Sequence, residues 1–417
     1  MRIVHAADLH IDSPLRGLGR LEGAPVDEIR LATRAAFVAL IDLCRAQSAA
    51  LLLLAGDVFD GEWRDFNTGL FFVRELARLR DVGTRVVMLR GNHDAESALC
   101  RHIPLPEHVR VLAADAPETV VYEDLGVAVH GQSYAARVIE DNLAERYPAP
   151  RRGLLNIGVL HTNAVGSSEH KNYAPCTVGQ LVRHGYDYWA LGHVHRREVL
   201  HERPWVVYPG NLQGRHARET GAKGATLLEV EDQRITSVAH VDVDVLRWVE
   251  LSVAIGEGEG LDSALDRLRA SMVAALADAG GRPVVARITL TGQTRLHARL
   301  IAHPEPVRAQ IRAIALDVGE LWPEKIKFAT APAPSAASAR ELVALRRALR
   351  AELARLAEDD AGLAAHLEGL AGVAGMVAQH LQPEQRPDNL EAARARLPAV
   401  EALLLGALDG VAGELAP

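Results

Sequence analysis

Leu51-Leu52-Leu53-Leu54-Ala55-Gly56-Asp57-Val58-Phe59-Asp60 decides the fold of this chain. An apolar run of strand length breaks at a glycine and then delivers two carboxylates. The same pattern recurs elsewhere. Asp8-Leu9-His10 follows the run 2–7, and Gly91-Asn92-His93-Asp94 follows 85–90. Leu160-His161-Thr162-Asn163 closes 156–160, and Gly192-His193-Val194-His195 follows 186–191. Aliphatic runs of this length read as buried strands. Their C-terminal ends are then expected along one edge of a sheet, where open α/β folds place ligand crevices.

Seven side chains of ligand type arrive at that edge: Asp8, His10, Asp57, Asn92, His161, His193 and His195. They offer carboxylate, amide and imidazole, and no thiolate. That set suits manganese, iron or zinc in a hydrolytic site. Seven ligands exceed the needs of one ion. They match two ions about 3.5–4 Å apart that share a carboxylate. Asp57 ends the most apolar run and is the candidate bridge. In extended backbone, residues two apart point to one side. Asp8 and His10 are therefore expected to reach one ion together, and His193 and His195 likewise. Asn92 and His93 are adjacent and point apart, so one ligates while the other faces substrate.

The ordered set D-x-H, GD-x-x-D, GNHD, H and G-H-x-H resembles the calcineurin-like metallophosphoesterases. Within them it is most similar to the nuclease subunit of SbcCD-type DNA repair complexes, in the branch called YhaO-like. His5-Ala6-Ala7-Asp8-Leu9-His10-Ile11-Asp12-Ser13-Pro14 carries that likeness. So do Tyr208-Pro209-Gly210-Asn211 and Gly214-Arg215-His216-Ala217-Arg218-Glu219-Thr220-Gly221. The likeness has specific motifs over 1–230, is architectural over 246–330, and ends without a motif after 335.

The resemblance implies an α/β fold: a four-layer metallophosphoesterase sandwich, a small α+β cap domain and a helical C-terminal tail. It assigns Asp8, His10, Asp57 and His195 to one ion. It assigns Asp57, Asn92, His161 and His193 to the other. His93 becomes the catalytic histidine that faces substrate, and Asp60 the carboxylate that orients it. The competing reading of Asp60 is a helix N-cap. Asn211, Arg215 and His216 are candidate substrate contacts. For Arg215, His216 and Arg218 a solvated loop competes evenly with phosphate contact. The implied cofactor is two divalent metal ions, with manganese (Mn2+) preferred and iron or zinc open. The implied reaction is attack of a dimetal-bridging hydroxide on the phosphorus of a phosphodiester, without a covalent intermediate. The implied partners are DNA and an SMC-like ATPase of the SbcC type, with a homodimer left open. Two other functions stay in view. One is a phosphodiesterase for a cyclic nucleotide or nucleotide-linked substrate. The other is a catalytically silent scaffold for the ATPase.

Composition bounds these readings. A chain of 417 residues holds two or three domains, and 48% hydrophobic content supports a real core. Cys44, Cys100 and Cys176 form no paired motif, which fits a reducing, cytoplasmic compartment. The chain opens on a strand, read as the lack of a signal peptide. No apolar run has the length of a membrane span, so no membrane partner is expected. A net charge of −8 argues against nonspecific coating of nucleic acid. Two divalent ions would outweigh Asp8 and Asp57, leaving the cleft less acidic than the whole chain. His5 is expected in the core and His130 in a structural role, whereas His102, His108, His184 and His201 read as solvated surface.

Three regions follow. Residues 1–245 form the nuclease domain, with helices expected at 26–47 and 67–79. Its last strands, 224–230 and 235–243, are expected to pair antiparallel and close a second sheet. Residues 246–332 form the cap, and 333–417 a partner-docking region. Ala331-Pro332-Ala333-Pro334-Ser335 reads as a semi-rigid linker. Beyond it Leu342, Leu345, Leu349, Leu353 and Leu356 make an apolar stripe at helical spacing. That stripe either packs on its own chain or docks a partner, and the resemblance favours docking.

Overall fold

The computed structural model describes residues 1–13, 29–60, 66–96, 104–164, 174–333, 336–365 and 390–413. Pro14, Cys100, His102 and the start of the helix expected from 26 lie outside the described residues. The strands in chain order are β1 (Arg2–Ala6), β2 (Leu51–Ala55), β3 (Arg85–Leu89), β4 (Val109–Val111) and β5 (Glu118–Tyr122). Then come β6 (Val127–Gly131), β7 (Leu155–His161), β8 (Tyr188–Gly192), β9 (Glu198–Glu202) and β10 (Trp205–Tyr208). The last are β11 (Gly224–Glu231), β12 (Arg234–Asp242), β13 (Arg247–Ala254), β14 (Val284–Thr294) and β15 (Leu321–Pro332).

One six-stranded sheet runs β12-β11-β1-β2-β3-β4, and a second runs β5-β6-β7-β8-β10-β9. β1 to β4 are mutually parallel, as are β6, β7, β8 and β10. β2 is buried along its whole length, which is why it reads as an unbroken apolar run rather than an alternating one. Its residues still alternate between two cores. Leu51 and Leu53 pack between the sheets with Val87, Leu89, Val129, Ile157 and Val159. Leu52 and Leu54 face the other way, against Phe37, Leu40 and Ile41 of helix Ala32–Ala46 and Phe72 and Leu76 of helix Phe66–Ala77. Each such leucine contributes about 1.5–3 kcal/mol by burial. On the far face of the second sheet, Leu160, Trp189 and Leu191 are covered by Tyr134, Tyr147 and Leu181. Two sheets between two outer layers give the four-layer α/β sandwich.

Two expectations are corrected here. β11 and β12 do pair antiparallel, but they extend the first sheet through β1 instead of closing the second. The ladder from Arg2 to His5 has an open side, and β11 fills it. The strand ends that carry ligands also do not share one sheet edge. β1, β2 and β3 belong to the first sheet, and β7 and β8 to the second.

A third sheet has the order β13-β14-β15. β15 continues through Pro332, so the first residues of the expected linker are strand; Pro334 and Ser335 lie outside the described residues. The chain divides into two compact units. The first holds residues 1–252, 267–289 and 308–327, including both large sheets. Within it Trp248 is buried with Ile29, Ala32, Leu246 and Val285, and its indole N–H donates to Gly214 O at 2.8 Å. The second unit holds residues 253–266, 290–307 and 328–417. Its helices Ala336–Glu358 and Leu390–Gly413 are tied by Arg350 Nε to Glu401 Oε1 at 3.0 Å and by Arg394 Nε to Ala357 O at 2.6 Å. Leu349, Leu353 and Leu356 are half-buried there, and Leu345 is exposed; the side chain of Leu342 lies outside the described residues. Among the described residues no helix is long and apolar enough to cross a membrane.

Candidate metal centre

The site is built from strand ends that overshoot. Asp8, His10, Asp57 and His193 all have positive φ, at 52°, 43°, 51° and 103°. Such backbone costs a non-glycine residue about 1–3 kcal/mol and persists where the surroundings impose it. The imposing bonds are visible. Asp8 N donates to Gly56 O at 3.0 Å, His10 N to Asp57 O at 3.1 Å, and Ile11 N to Val58 O at 2.9 Å. The first two ligand loops are thus laced together. Gly56 is required twice over. Its φ is +92°, and a Cβ there would lie 2.6 Å from His161 Nδ1. Gly192 admits no side chain either, because a Cβ would sit 2.0 Å from Ala55 O.

Donor atoms of ligand type converge in three groups among the described residues. One joins His10 to Asp60 and His93, and the two built from the expected ligands join Asp8, His10 and His195, and Asp57, His161 and His193. Asp57 lies between them: Oδ2 is 3.4 Å from His161 Nε2 and 3.9 Å from His10 Nε2. Asn92 Oδ1 stands 2.9 Å from His161 Nε2. His193 and His195 join different groups. The expectation that they share one ion assumed extended backbone, which His193 lacks at φ 103°. The alternation argument fails for Asp8 and His10 as well. They converge because their loop turns, not because it is extended.

The donor chemistry fits divalent cations. His161 Nδ1 lies 2.9 Å from Ala55 O and is the donor of that bond. A neutral ring therefore turns the Nε2 lone pair toward two oxygens, of Asn92 and Asp57. Only a proton or a cation relieves that opposition. Burial favours the neutral ring, but Asp57 and Asp8 push the His161 pKa up to about 9. A proton thus fills the place a cation would take. His10 Nε2 and His195 Nε2 also converge, 3.2 Å apart, with His195 Nδ1 already engaged by Glu219 Oε1 at 2.7 Å.

Beside these groups, His93 Nδ1 lies 3.0 Å from Asp60 Oδ1. Asp60 also accepts from Ser13 Oγ at 2.8 Å and stands 3.6 Å from His10 Nδ1. The Asp60 bond raises the His93 pKa above its ordinary value, against partial burial. Asn92 and His93 do point apart, one toward His161 and the other toward Asp60.

The three candidate substrate contacts are placed differently from one another. Asn211 is fully buried, and its amide donates to Gln213 O at 2.7 Å and Glu219 Oε2 at 3.0 Å. Its Nδ2 thereby braces Glu219, while its Oδ1 has no hydrogen-bond partner among the described residues. Arg215 is held 3.2 Å from Glu219 and 3.8 Å from Asp60. His216 is about half exposed, with Nε2 3.7 Å from Glu219.

Several contributors escaped sequence reasoning. Asp94 accepts the backbone N–H groups of Val58, Phe59 and Gly91, binding two ligand loops to one carboxylate. Burial, with Asp57 nearby, pushes its pKa up to about 6. Glu219 and Lys223 both hold His195, through the ring and through its carbonyl. Tyr134 donates to His161 O at 2.8 Å. The signal for Glu219 was its place in the stretch 214–221 that carries the likeness, four residues after Arg215. Two histidines behave as expected: His5 is bonded in the core to Tyr188 and Leu191, and His130 to Thr119 and Asn156. His108, His184 and His201 are half-buried rather than solvated, each bonded to a backbone carbonyl.

Two facing sheets with paired ligand groups at their strand ends define a class, and residues 1–197 match the family described as Calcineurin-like phosphoesterase. The chain belongs to the calcineurin-like metallophosphoesterases, hydrolases of phosphoester bonds that use a dimetal centre. Residues 248–331 match a second family, described as Metallophosphoesterase YhaO, middle domain. The chain is 36% identical over 296 residues to the Uncharacterized metallophosphoesterase YhaO of Bacillus subtilis (strain 168), covering 70% of this chain and 72% of that one. It is 26% identical over 303 residues to the DNA double-strand break repair protein Mre11 of Methanopyrus kandleri, covering 64% and 62%. It is 23% identical over 309 residues to a component of the nuclease SbcCD of Escherichia coli (strain K12), covering 64% and 74%.

Proposed function

We propose that this chain is the nuclease subunit of a DNA repair complex, hydrolysing DNA phosphodiesters with two manganese ions and working beside an SMC-like ATPase. The observation that carries the reading is the position of Asp57 between two ligand groups, with the Asp60–His93 pair alongside. Asp8, His10, Asp57 and His195 would hold one ion, and Asp57, Asn92, His161 and His193 the other. Bound there, divalent ions supply Lewis-acid charge for the phosphoryl oxygens and lower the pKa of water from about 15.7 towards about 7.

The chain's own residues do the rest. Asp60 engages Nδ1 of His93, which leaves Nε2 as the nitrogen for substrate. The Asp60 bond raises the His93 pKa and so favours its protonated form, which would give the Nε2 proton to the departing alkoxide. A water oxygen forms the new bond to phosphorus as the bond to that alkoxide breaks. Arg215 and His216 border the site and would meet the backbone of a nucleic acid.

The names of the relatives from Methanopyrus kandleri and Escherichia coli support DNA as substrate. The exposed leucines of the C-terminal helices support a docking role for 333–417, and Phe66 and Leu70, both exposed on helix Phe66–Ala77, suit contact with a second copy. A cytoplasmic location accords with these assignments. Purified protein with manganese should be assayed on linear duplex, single-stranded DNA and bis-p-nitrophenyl phosphate. Cleavage of DNA and of the small diester is expected. Turnover of the small diester alone would leave a phosphodiesterase but refute the nuclease.

A further inference from the structure

Glu219 is buried, and its carboxylate receives hydrogen bonds from several directions. His195 Nδ1 stands at 2.7 Å and Arg215 Nη2 at 3.2 Å from Oε1. Asn211 Nδ2 at 3.0 Å and the Arg215 backbone N–H at 2.7 Å reach Oε2. Lys223, also buried, donates from Nζ to the carbonyl of His195 at 2.8 Å. The segment 211–223 therefore grips His195 at both ring and backbone. The segment is itself anchored. Gln213 Nε2 donates to Leu246 O at 2.9 Å, and Trp248 Nε1 to Gly214 O at 2.8 Å.

We propose that Glu219 is a positioning residue for one of the two metal positions, fixing His195 as the Nδ1–H tautomer so that Nε2 faces the group it forms with Asp8 and His10. A ring whose Nδ1 proton sits on a carboxylate has one orientation and a more basic Nε2. The other ligand group has a separate anchor, the Ala55 carbonyl that accepts from His161 Nδ1. Losing the Glu219 charge therefore weakens one position and spares the other. Glutamine cannot substitute. All of the surrounding partners are donors, so whichever way its amide turns, an NH2 faces some of them. The proposal rests on the dinuclear reading above.

The test is manganese titration of full-length, metal-free protein by calorimetry, comparing wild type with Glu219→Gln. Wild type should take up two ions. The variant should bind one as wild type does and the other about 10–100-fold more weakly. Wild-type affinity at both positions would overturn the proposal. Equal weakening of both, with a lower melting temperature, would also overturn it, because that marks a brace for the whole loop. A wild type that binds no manganese would instead fault the dinuclear reading, and this proposal with it. Should Glu219→Gln fail to fold, nitrogen NMR of the metal-free wild type decides, with His195 assigned through His195→Ala. A proton on Nδ1 supports the proposal, and a proton on Nε2 overturns it.

Discussion

Nδ1 of His93 lies 3.0 Å from Oδ1 of Asp60, while Oδ2 of Asp60 accepts from Ser13 Oγ at 2.8 Å. The carboxylate is therefore fixed before it fixes the histidine. His93 groups with His10 and Asp60, and not with Asp57, His161 and His193. His93→Ala should keep its manganese and its affinity for DNA, yet lower kcat about 10²–10⁴-fold, the usual worth of a positioned general acid. Metal analysis beside single-turnover kinetics checks this. A variant that loses metal would make His93 a ligand.

Asp57 touches both groups, so its removal should act on both. Asp57→Ala should leave manganese binding too weak to measure at concentrations that saturate wild type. Retention of one tightly bound ion would show that Asp57 serves one position only.

Gly192 lets β8 pass close to the end of β2. A Cβ there would lie 2.0 Å from Ala55 O and 2.9 Å from His161 Nδ1. Gly192→Ala must push backbone, not a flexible side-chain tip. It should lower stability by about 3 kcal/mol, at the upper end for overpacking, and release the His161 anchor. Denaturant unfolding of the metal-free variant measures it, and a change below about 0.5 kcal/mol would contradict the packing described.

His5 offers a pH test away from the ligands. Burial lowers its pKa from 6.5 to about 3, so the folded chain keeps a neutral ring between Tyr188 and Leu191. The unfolded chain takes up a proton below about 6.5. The stabilisation is complete above that pH and is lost as pH falls from about 6.5 towards 3, by at most about 1.4 kcal/mol per pH unit. The stability advantage of metal-free wild type over His5→Gln should shrink accordingly between pH 6.5 and pH 4. A difference that ignores pH would mean the ring is charged or solvated.

For the tail, the exposed residues make the sharper probe. Leu345 is 52% and Leu403 74% exposed, whereas Leu349 and Leu353 are half-buried. Leu345→Glu with Leu403→Glu should abolish co-purification with the ATPase while the melting temperature stays within about 1 °C, since surface changes rarely exceed ±0.5 kcal/mol. A clear drop in melting temperature with unchanged partner binding would assign these leucines to the chain's own packing.

Much of this architecture is legible because a buried parallel strand writes itself as an apolar run, and a ligand at its end stands out against that run. β1, β2, β3, β7 and β8 fall within two residues of their expected bounds for this reason. β4, β5, β9 and β10 are short or edge strands, and only β10 is largely buried, so they left little pattern to read. Which sheet a strand joins depends on pairing across long sequence separations, as β11 shows by pairing with β1. The split between His193 and His195 rests on one left-handed φ that two-residue alternation does not foresee. Asp94, Glu219 and Lys223 were hidden for a different cause. Their work is done through backbone groups and a single ring nitrogen, and nothing in a residue's own letter says what it will brace.

The central claim is that Asp8, His10, Asp57, Asn92, His161, His193 and His195 hold two ions that share Asp57. A crystal of manganese-loaded protein, measured at the manganese absorption edge, tests it most directly. The account predicts two anomalous peaks about 3.5–4 Å apart, with Asp57 between them, His195 at one and His161 at the other. A single peak, or a pair lying away from these side chains, would contradict it.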